Sequence, residues 1–257
     1  CTLALLLAIL GFLLLHGLPE VTLDFLRQPP RDMGRRGGVG PLFFNTAYLA
    51  GLAVALATPL GVGTAIYLAE YQREGLLTRL VRFGADCLAG VPSILYGLFG
   101  FVFFVLYLGL RWSLLAGALT LAMMILPTII RTSEEALRAV PHGLREVSLA
   151  LGASRWQTVS RIVLPAALPG VLTGIILSIG RCVAETAAVL FTAGAALRAA
   201  RSPLAPARTL AVHFYLLSRE GLAPERAYAT AAVLLLAVLA LNLCAYLLLH
   251  AFRRRSG

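Results

Sequence analysis

Six runs of apolar residues, rarely broken by a charge, organise the chain at approximately 1–18, 42–69, 86–109, 112–130, 166–190 and 227–250. A helix needs about 20 mostly apolar residues to cross a bilayer, so each run predicts a membrane span. The second run is long enough to require tilt or a break, and Pro59 supplies a place for one. Between the fourth and fifth runs the pattern changes. The stretch EVSLALGASRWQTVSRIVLPAALPG, Glu146 to Gly170, sets Arg155, Gln157, Arg161 and several hydroxyls among apolar positions. It punctuates itself as helices. Thr132-Ser-Glu-Glu135 has the spacing of a capping box, and Pro141 suits the first turn of a helix running to about Leu151. Gly152 fits the left-handed position that ends a helix, and Ser154-Arg-Trp-Gln157 repeats the capping-box spacing before a helix that meets Pro165. The pattern predicts two helices joined at Gly152 and projecting into water. Leu149, Leu151 and Trp156 would then be apolar side chains on an exposed turn, which a partner's groove explains better than a solvated linker does.

Composition agrees with the spans. Of 257 residues, 59% are hydrophobic and only 13% charged, the balance of an integral membrane protein. All 22 basic residues are Arg, and without Lys there is no P-loop, so the chain is not itself a P-loop ATPase. The net charge of +10 is spread over the loops between spans, a membrane-topology pattern rather than a nucleic-acid patch. Charge leaves the orientation open. With loops 70–85 and 131–165 and the tail 251–257 in the cytoplasm, that side holds 11 Arg and the other 10. Arg253, Arg254 and Arg255 favour a cytoplasmic C-terminus. The first run starts at Cys1 with no basic n-region or small-residue cleavage site, so it reads as a span rather than a signal peptide. Cys1, Cys87, Cys182 and Cys244 are far apart with no CxxC spacing, and neither a zinc site nor a disulfide framework is expected.

Within the fifth run, Arg181 and Glu185 stand four apart, which predicts one helix face. A charge at mid-membrane costs roughly 2.5–3.5 kcal/mol, so such a pair either neutralises itself or faces a watery path. A guanidinium suits an oxyanion because its planar donors hold two oxygens at once. In the third run, Gly90-Val-Pro-Ser-Ile-Leu-Tyr-Gly97 lets Pro92 free a backbone carbonyl while Gly90 and Gly97 admit close helix packing; Ser93 there is either a pathway residue or part of a kink. Asn45 and Thr46 either cap the second span or touch a solute. Tyr48, Tyr67, Tyr71 and Trp112 read as interfacial anchors, and Asp86 as a helix-start charge.

Glu146, Gly152, Ile162, Leu164 and Pro165 reproduce the "EAA" signature, with Val147 and Ser148 in place of the two alanines. The chain therefore resembles the EAA-motif ABC transporter permeases. FNT at 44–46, AIYLAEYQ at 65–72, GVPSILYGLFGF at 90–101, RTSEEALRAVP at 131–141, RCVAETAAVLFTA at 181–193 and TLAVHFY at 209–215 resemble the PstA-type, phosphate-uptake branch. Ala184 and Ala188 depart from that branch, which usually has Gly and often Pro there. The resemblance implies an all-α membrane protein of six transmembrane helices in the type I ABC importer permease architecture. It forms one permease domain over 1–257, with a cytoplasmic coupling hairpin at about 131–165. It implies docking of an ATPase through Glu146, Gly152, Ala153, Ser154, Arg155 and Trp156, and a substrate pathway touching Arg181, Glu185, Ser93 and Thr186. It also implies a PstC-like permease partner, a PstB-like ATPase dimer carrying ATP and Mg, a PstS-like phosphate-binding protein, inorganic phosphate as cargo, and residence in the bacterial inner membrane with both termini cytoplasmic. No cofactor, catalytic residue or nucleic-acid partner is expected for this chain. The alternatives are a permease for sulfate or molybdate and an ion-gradient-driven transporter. A membrane-embedded enzyme would want His, Asp or Cys at midplane, where only Arg181 and Glu185 stand.

Overall fold

The computed structural model describes residues 2–72, 75–221 and 223–255. Cys1, Arg73 and Glu74 of the predicted loop 70–85, Leu222 of the predicted loop 191–226, and the tail residues Ser256 and Gly257 lie outside them. In chain order the helices are α1 (Thr2–Gly17), α2 (Leu23–Arg27), α3 (Gly40–Ile66), α4 (Leu76–Gly90), α5 (Ser93–Gly100), α6 (Leu114–Arg138), α7 (His142–Ala150), α8 (Arg155–Thr158), α9 (Leu164–Ala184), α10 (Ala187–Thr192), α11 (Leu210–Arg219) and α12 (Pro224–Arg255). π-Helical turns extend α3 over Tyr67–Tyr71 and α5 over Phe101–Tyr107, and join α8 to α9 over Val159–Val163. Two short strands, β1 (Pro30–Arg31) and β2 (Arg36–Gly37), pair antiparallel before α3.

Among the described residues, five helices are long and apolar enough to cross a membrane: Thr2–Glu20, Gly40–Tyr71, Leu114–Arg138, Arg155–Ala184 and Pro224–Leu247. A sixth span exists if the pair Thr78–Gly90 and Ser93–Tyr107 is counted as one, and that pair is bent by 100°. The third run is therefore not a straight span. Val91 is extended (φ −71°, ψ 130°), as the residue before Pro92 must be, and α4 ends on it. Asp86, expected at a helix start, sits in the last turns of α4 and forms an ion pair with Arg131.

Three further readings are corrected for local reasons. Thr132 caps nothing: α6 runs through it to Arg138, because no Gly or Pro interrupts residues 128–138, and its hydroxyl donates back to the Thr128 carbonyl at 2.8 Å. Asn45 and Thr46 are not caps either, since α3 begins at Gly40. The fifth run is also broken: α9 ends at Ala184, so Glu185 is not on the helix that carries Arg181.

The described chain divides into two compact units. The first comprises Cys1–Ala53, Ser93–Leu121 and Gly180–Leu241. Its core gathers Phe25, Val39, Leu42, Leu210, Ala229 and Val233. Buried Asn45 organises the irregular segment before α11, donating to the carbonyls of Arg198 (3.0 Å) and Arg208 (3.1 Å) and accepting from the Ala200 N–H (2.8 Å). One amide thereby satisfies three backbone groups of a loop that has no ladder of its own. Thr46 accepts from the Leu210 N–H at 3.0 Å. Below it, Arg208 Nη1 donates to Nδ1 of buried His213 at 3.3 Å, which places the ring proton on Nε2. Burial, then the Arg208 charge, push the His213 pKa down to about 4.

The second unit comprises Val54–Pro92, Ala122–Ile179 and Asn242–Gly257. Ala65, Leu137, Val140, Val163, Ala167 and Val171 form its core. Gly61 abuts Ile129, while Gly170 meets Ala136 and Gly174 meets Thr132, so small residues bring α3, α6 and α9 into backbone-close packing.

Candidate coupling hairpin and permeation residues

The hairpin of the second unit is built by its caps. Pro141 precedes α7, and Leu151 ends it. Gly152 then takes φ +83°, its N–H bonding the Leu149 carbonyl (3.0 Å) while the Ala153 N–H bonds that of Ser148 (3.2 Å). Those two bonds are a Schellman closure, and they need a residue at ease in the left-handed region. Ser154 opens α8 as a full capping box: its hydroxyl accepts from the Gln157 N–H (3.2 Å), and the Gln157 side chain accepts from the Ser154 N–H (2.8 Å). Buried Ser148 and Thr158 share a hydroxyl bond at 2.9 Å and hold the two helices together.

The outward surface is apolar. Leu144, Val147 and Leu151 share one face of α7 and its end, with Leu151 83% exposed and Trp156 on α8 65% exposed; Leu149 is exposed as well. Glu146, Gly152, Ser154 and Arg155 are exposed and Ala153 is half-buried. All six residues assigned to coupling thus lie on one hairpin.

Inward, α7 presents a residue that sequence reasoning missed. Arg145 spends its whole guanidinium on its own unit. Nε and Nη2 donate to Glu70 at 3.1 and 2.6 Å, Nη2 also to the Leu137 carbonyl at 2.8 Å, and Nη1 to that of Val140 at 2.8 Å. The two side chains are 15% and 10% exposed. Glu70 and Arg145 are 75 positions apart, a separation no local spacing rule reveals. Nearby in sequence, Glu134 pairs with Arg82 (2.7 Å) and Arg138 (3.0 Å), and these groups, with Asp86, Arg131 and Glu135, line a cavity of about 270 Å³.

The residues assigned to the pathway lie in the first unit. Arg181 is exposed on the last turn of α9 and makes no ion pair or hydrogen bond among the described residues. Glu185, outside the helix, directs its carboxylate to the Ala188 N–H (3.5 Å) at the start of α10. The expected pair on one face is therefore not formed. Thr186 bridges the break with φ −117° and ψ −58°, its hydroxyl 3.5 Å from the Ala184 carbonyl. Ser93 opens α5, which packs on α10. A Cβ at Gly97 would come within 2.9 Å of the Ala188 Cα, and one at Gly100 would collide with Thr120 and Thr192. Gly90, by contrast, faces open space. The structure packs α5, which Ser93 opens, against α10, which Thr186 precedes.

Helices long and apolar enough to span a membrane, a capped helical hairpin with an apolar outward surface and a helix that breaks just after Arg181 define an all-α membrane-protein architecture. A solved structure of the MetNI methionine ABC transporter in an inward-facing conformation shares the fold, with a TM-score of 0.69 at 20% identity over 83% of this chain and 95% of that one. The family model for the binding-protein-dependent transport system inner membrane component matches residues 57–257, and the chain belongs to that family. The probable ABC transporter permease protein YqgI of Bacillus subtilis is 35% identical over 258 residues, 94% of this chain and 88% of that protein. The phosphate transport system permease protein PstA 1 of Mycobacterium tuberculosis is 49% identical over 158 residues, which span 62% of this chain and 52% of that relative.

Proposed function

We propose that the chain is the permease subunit of an ATP-driven importer of inorganic phosphate, working by alternating access. The observation that carries the reading is the hairpin: two capped helices hold Leu144, Val147, Leu149, Leu151 and Trp156 in water, which suits the groove of a separate motor. On this reading residues 131–165 and both termini are cytoplasmic. Glu146, Gly152, Ala153, Ser154, Arg155 and Trp156 contact a PstB-like ATPase that binds the ATP and Mg. The other partners are a PstC-like permease and a PstS-like phosphate-binding protein. Likeness to PstA supports phosphate as cargo, and so does Arg181, whose fork is not engaged by a carboxylate of its own. Arg181 would meet the anion, with Ser93, Glu185 and Thr186 along the same path.

The test is the complete importer in proteoliposomes with its binding protein. Phosphate uptake should require ATP and resist competition by sulfate and molybdate. Arg181→Gln should abolish uptake while the ATPase still co-purifies. Uptake driven by an ion gradient without ATP would overturn the reading. Preference for sulfate or molybdate would leave the permease and change its cargo.

A further inference from the structure

We infer that Arg145 is the positioning residue that fastens the coupling hairpin to the ends of two membrane helices, so that a push on the hairpin reaches α3 and α6 as one rigid movement. The inference rests on the reading that an ATPase docks on this hairpin. Helix α7 has two working faces. Leu144 and Val147, with Leu151 just past its end, point outward; Arg145 and Ser148, three apart, point inward.

The geometry is a three-way joint. Glu70 belongs to the π-helical turn that ends α3, and Arg145 grips both its oxygens (Nε to Oε1 3.1 Å and to Oε2 3.2 Å). The Leu137 carbonyl belongs to the last turn of α6 and the Val140 carbonyl to the turn just past it, where carbonyls lack intrahelical donors. A cation there also meets the negative pole of the α6 dipole. The guanidinium is planar, and its donors point in fixed directions, so α3 and α6 are both held in register with α7. The Ser148–Thr158 bond passes the same movement on to α8. A single part-buried fork thus does what a flexible loop could not: it converts displacement of α7 into displacement of two helix ends at once.

The variants that separate joint from filler keep the charge and change the reach or donor geometry only slightly. In Arg145→Lys the ammonium is a point charge whose three donors do not match the carboxylate and both carbonyls. Glu70→Asp shortens the other arm by one methylene. In the reconstituted importer, ATPase co-purification and ATP turnover should stay within about twofold of wild type, because the outward face is untouched. Phosphate moved per ATP should fall about tenfold in Arg145→Lys and about threefold in Glu70→Asp. Spin labels on cysteines at Gly143 and Gln72 should keep one separation with and without ATP in the wild-type background, and acquire an ATP-dependent one with Arg145→Lys. An unchanged phosphate-to-ATP ratio and a constant separation in assembled Arg145→Lys would overturn the inference. Should that variant not assemble, an unchanged ratio in Glu70→Asp would do so. Absence of ATP-dependent uptake in the wild-type importer would instead sink the functional reading beneath it.

Discussion

The molecule carries two Arg–Glu couples that differ in an instructive way. Arg181 and Glu185 stand four apart in sequence and make no ion pair, because α9 ends between them and Glu185 turns to the start of α10. Arg145 and Glu70 are 75 positions apart and make a bidentate, part-buried pair whose remaining donors go to backbone carbonyls at the end of α6 and just past it. Spacing predicts a contact only while one helix spans both residues. What decides the partner is where the backbone stops being helical. One Arg is therefore a fixed joint, and the other keeps its donors unspent among the described residues.

The sharpest way to break this contrast is to compare what each couple contributes to stability. Glu70→Ala leaves the part-buried Arg145 without its carboxylate and should cost about 2–3 kcal/mol, read as a clear fall in the thermal midpoint of the detergent-purified protein. A fall too small to resolve would show the joint to be ornamental.

Burial should matter as much where no carboxylate is involved. Folded His213 stays neutral down to about pH 4, whereas an unfolded His takes up a proton near pH 6.5. Its contribution is therefore full above pH 6.5, falls as pH drops from 6.5 towards 4, and is level below. At pH 5 the first unit should be less stable than at pH 7.5 by about 2 kcal/mol. His213→Gln should flatten that slope in a thermal-shift titration. A wild-type slope that survives the substitution would place the titrating group elsewhere.

Gly152→Val should come next, at about 2 kcal/mol. No atom lies within 4 Å of the new Cβ, so the cost is the backbone's alone, at φ +83°. Its larger readout is weaker co-purification of the ATPase, with the spans still inserted. The smallest effect belongs to Arg181 and Glu185. Substituting Gln at each should change stability by less than about 0.5 kcal/mol, and the double variant should be additive within the same margin, since no bond joins them. A coupling energy above about 1 kcal/mol would restore the pair that the backbone break denies.

Much of this architecture was legible beforehand. Apolar runs located the spans, and the Gly152 and Ser154 signals marked both caps of the hairpin, because caps are written in one or two residues of the right chemistry. The breaks were harder. Pro92 was visible as a kink, but not that α4 and α5 would bend by 100°. The break at Glu185–Thr186 has no Gly or Pro to announce it, as Ala184 and Ala188 occupy its flanks. Packing of α10 on α5, with Gly97 against Ala188, imposes it from outside the segment. Arg145 was read past because its partners sit in the AIYLAEYQ and RTSEEALRAVP stretches, and only folding assembles them. Thr132 carried a true cap spelling that an uninterrupted helix overrode. Asn45 was ambiguous for a similar reason: a loop tether and a helix cap want the same amide.

The outward face of the hairpin has a consequence for the life of the subunit in the cell. A copy made in excess of its motor presents Leu144, Val147, Leu151 and Trp156 to chaperones and proteases, which recognise such surface. If the motor docks there as proposed, turnover of the subunit would be set by assembly, because that apolar face would be covered only in the complete complex.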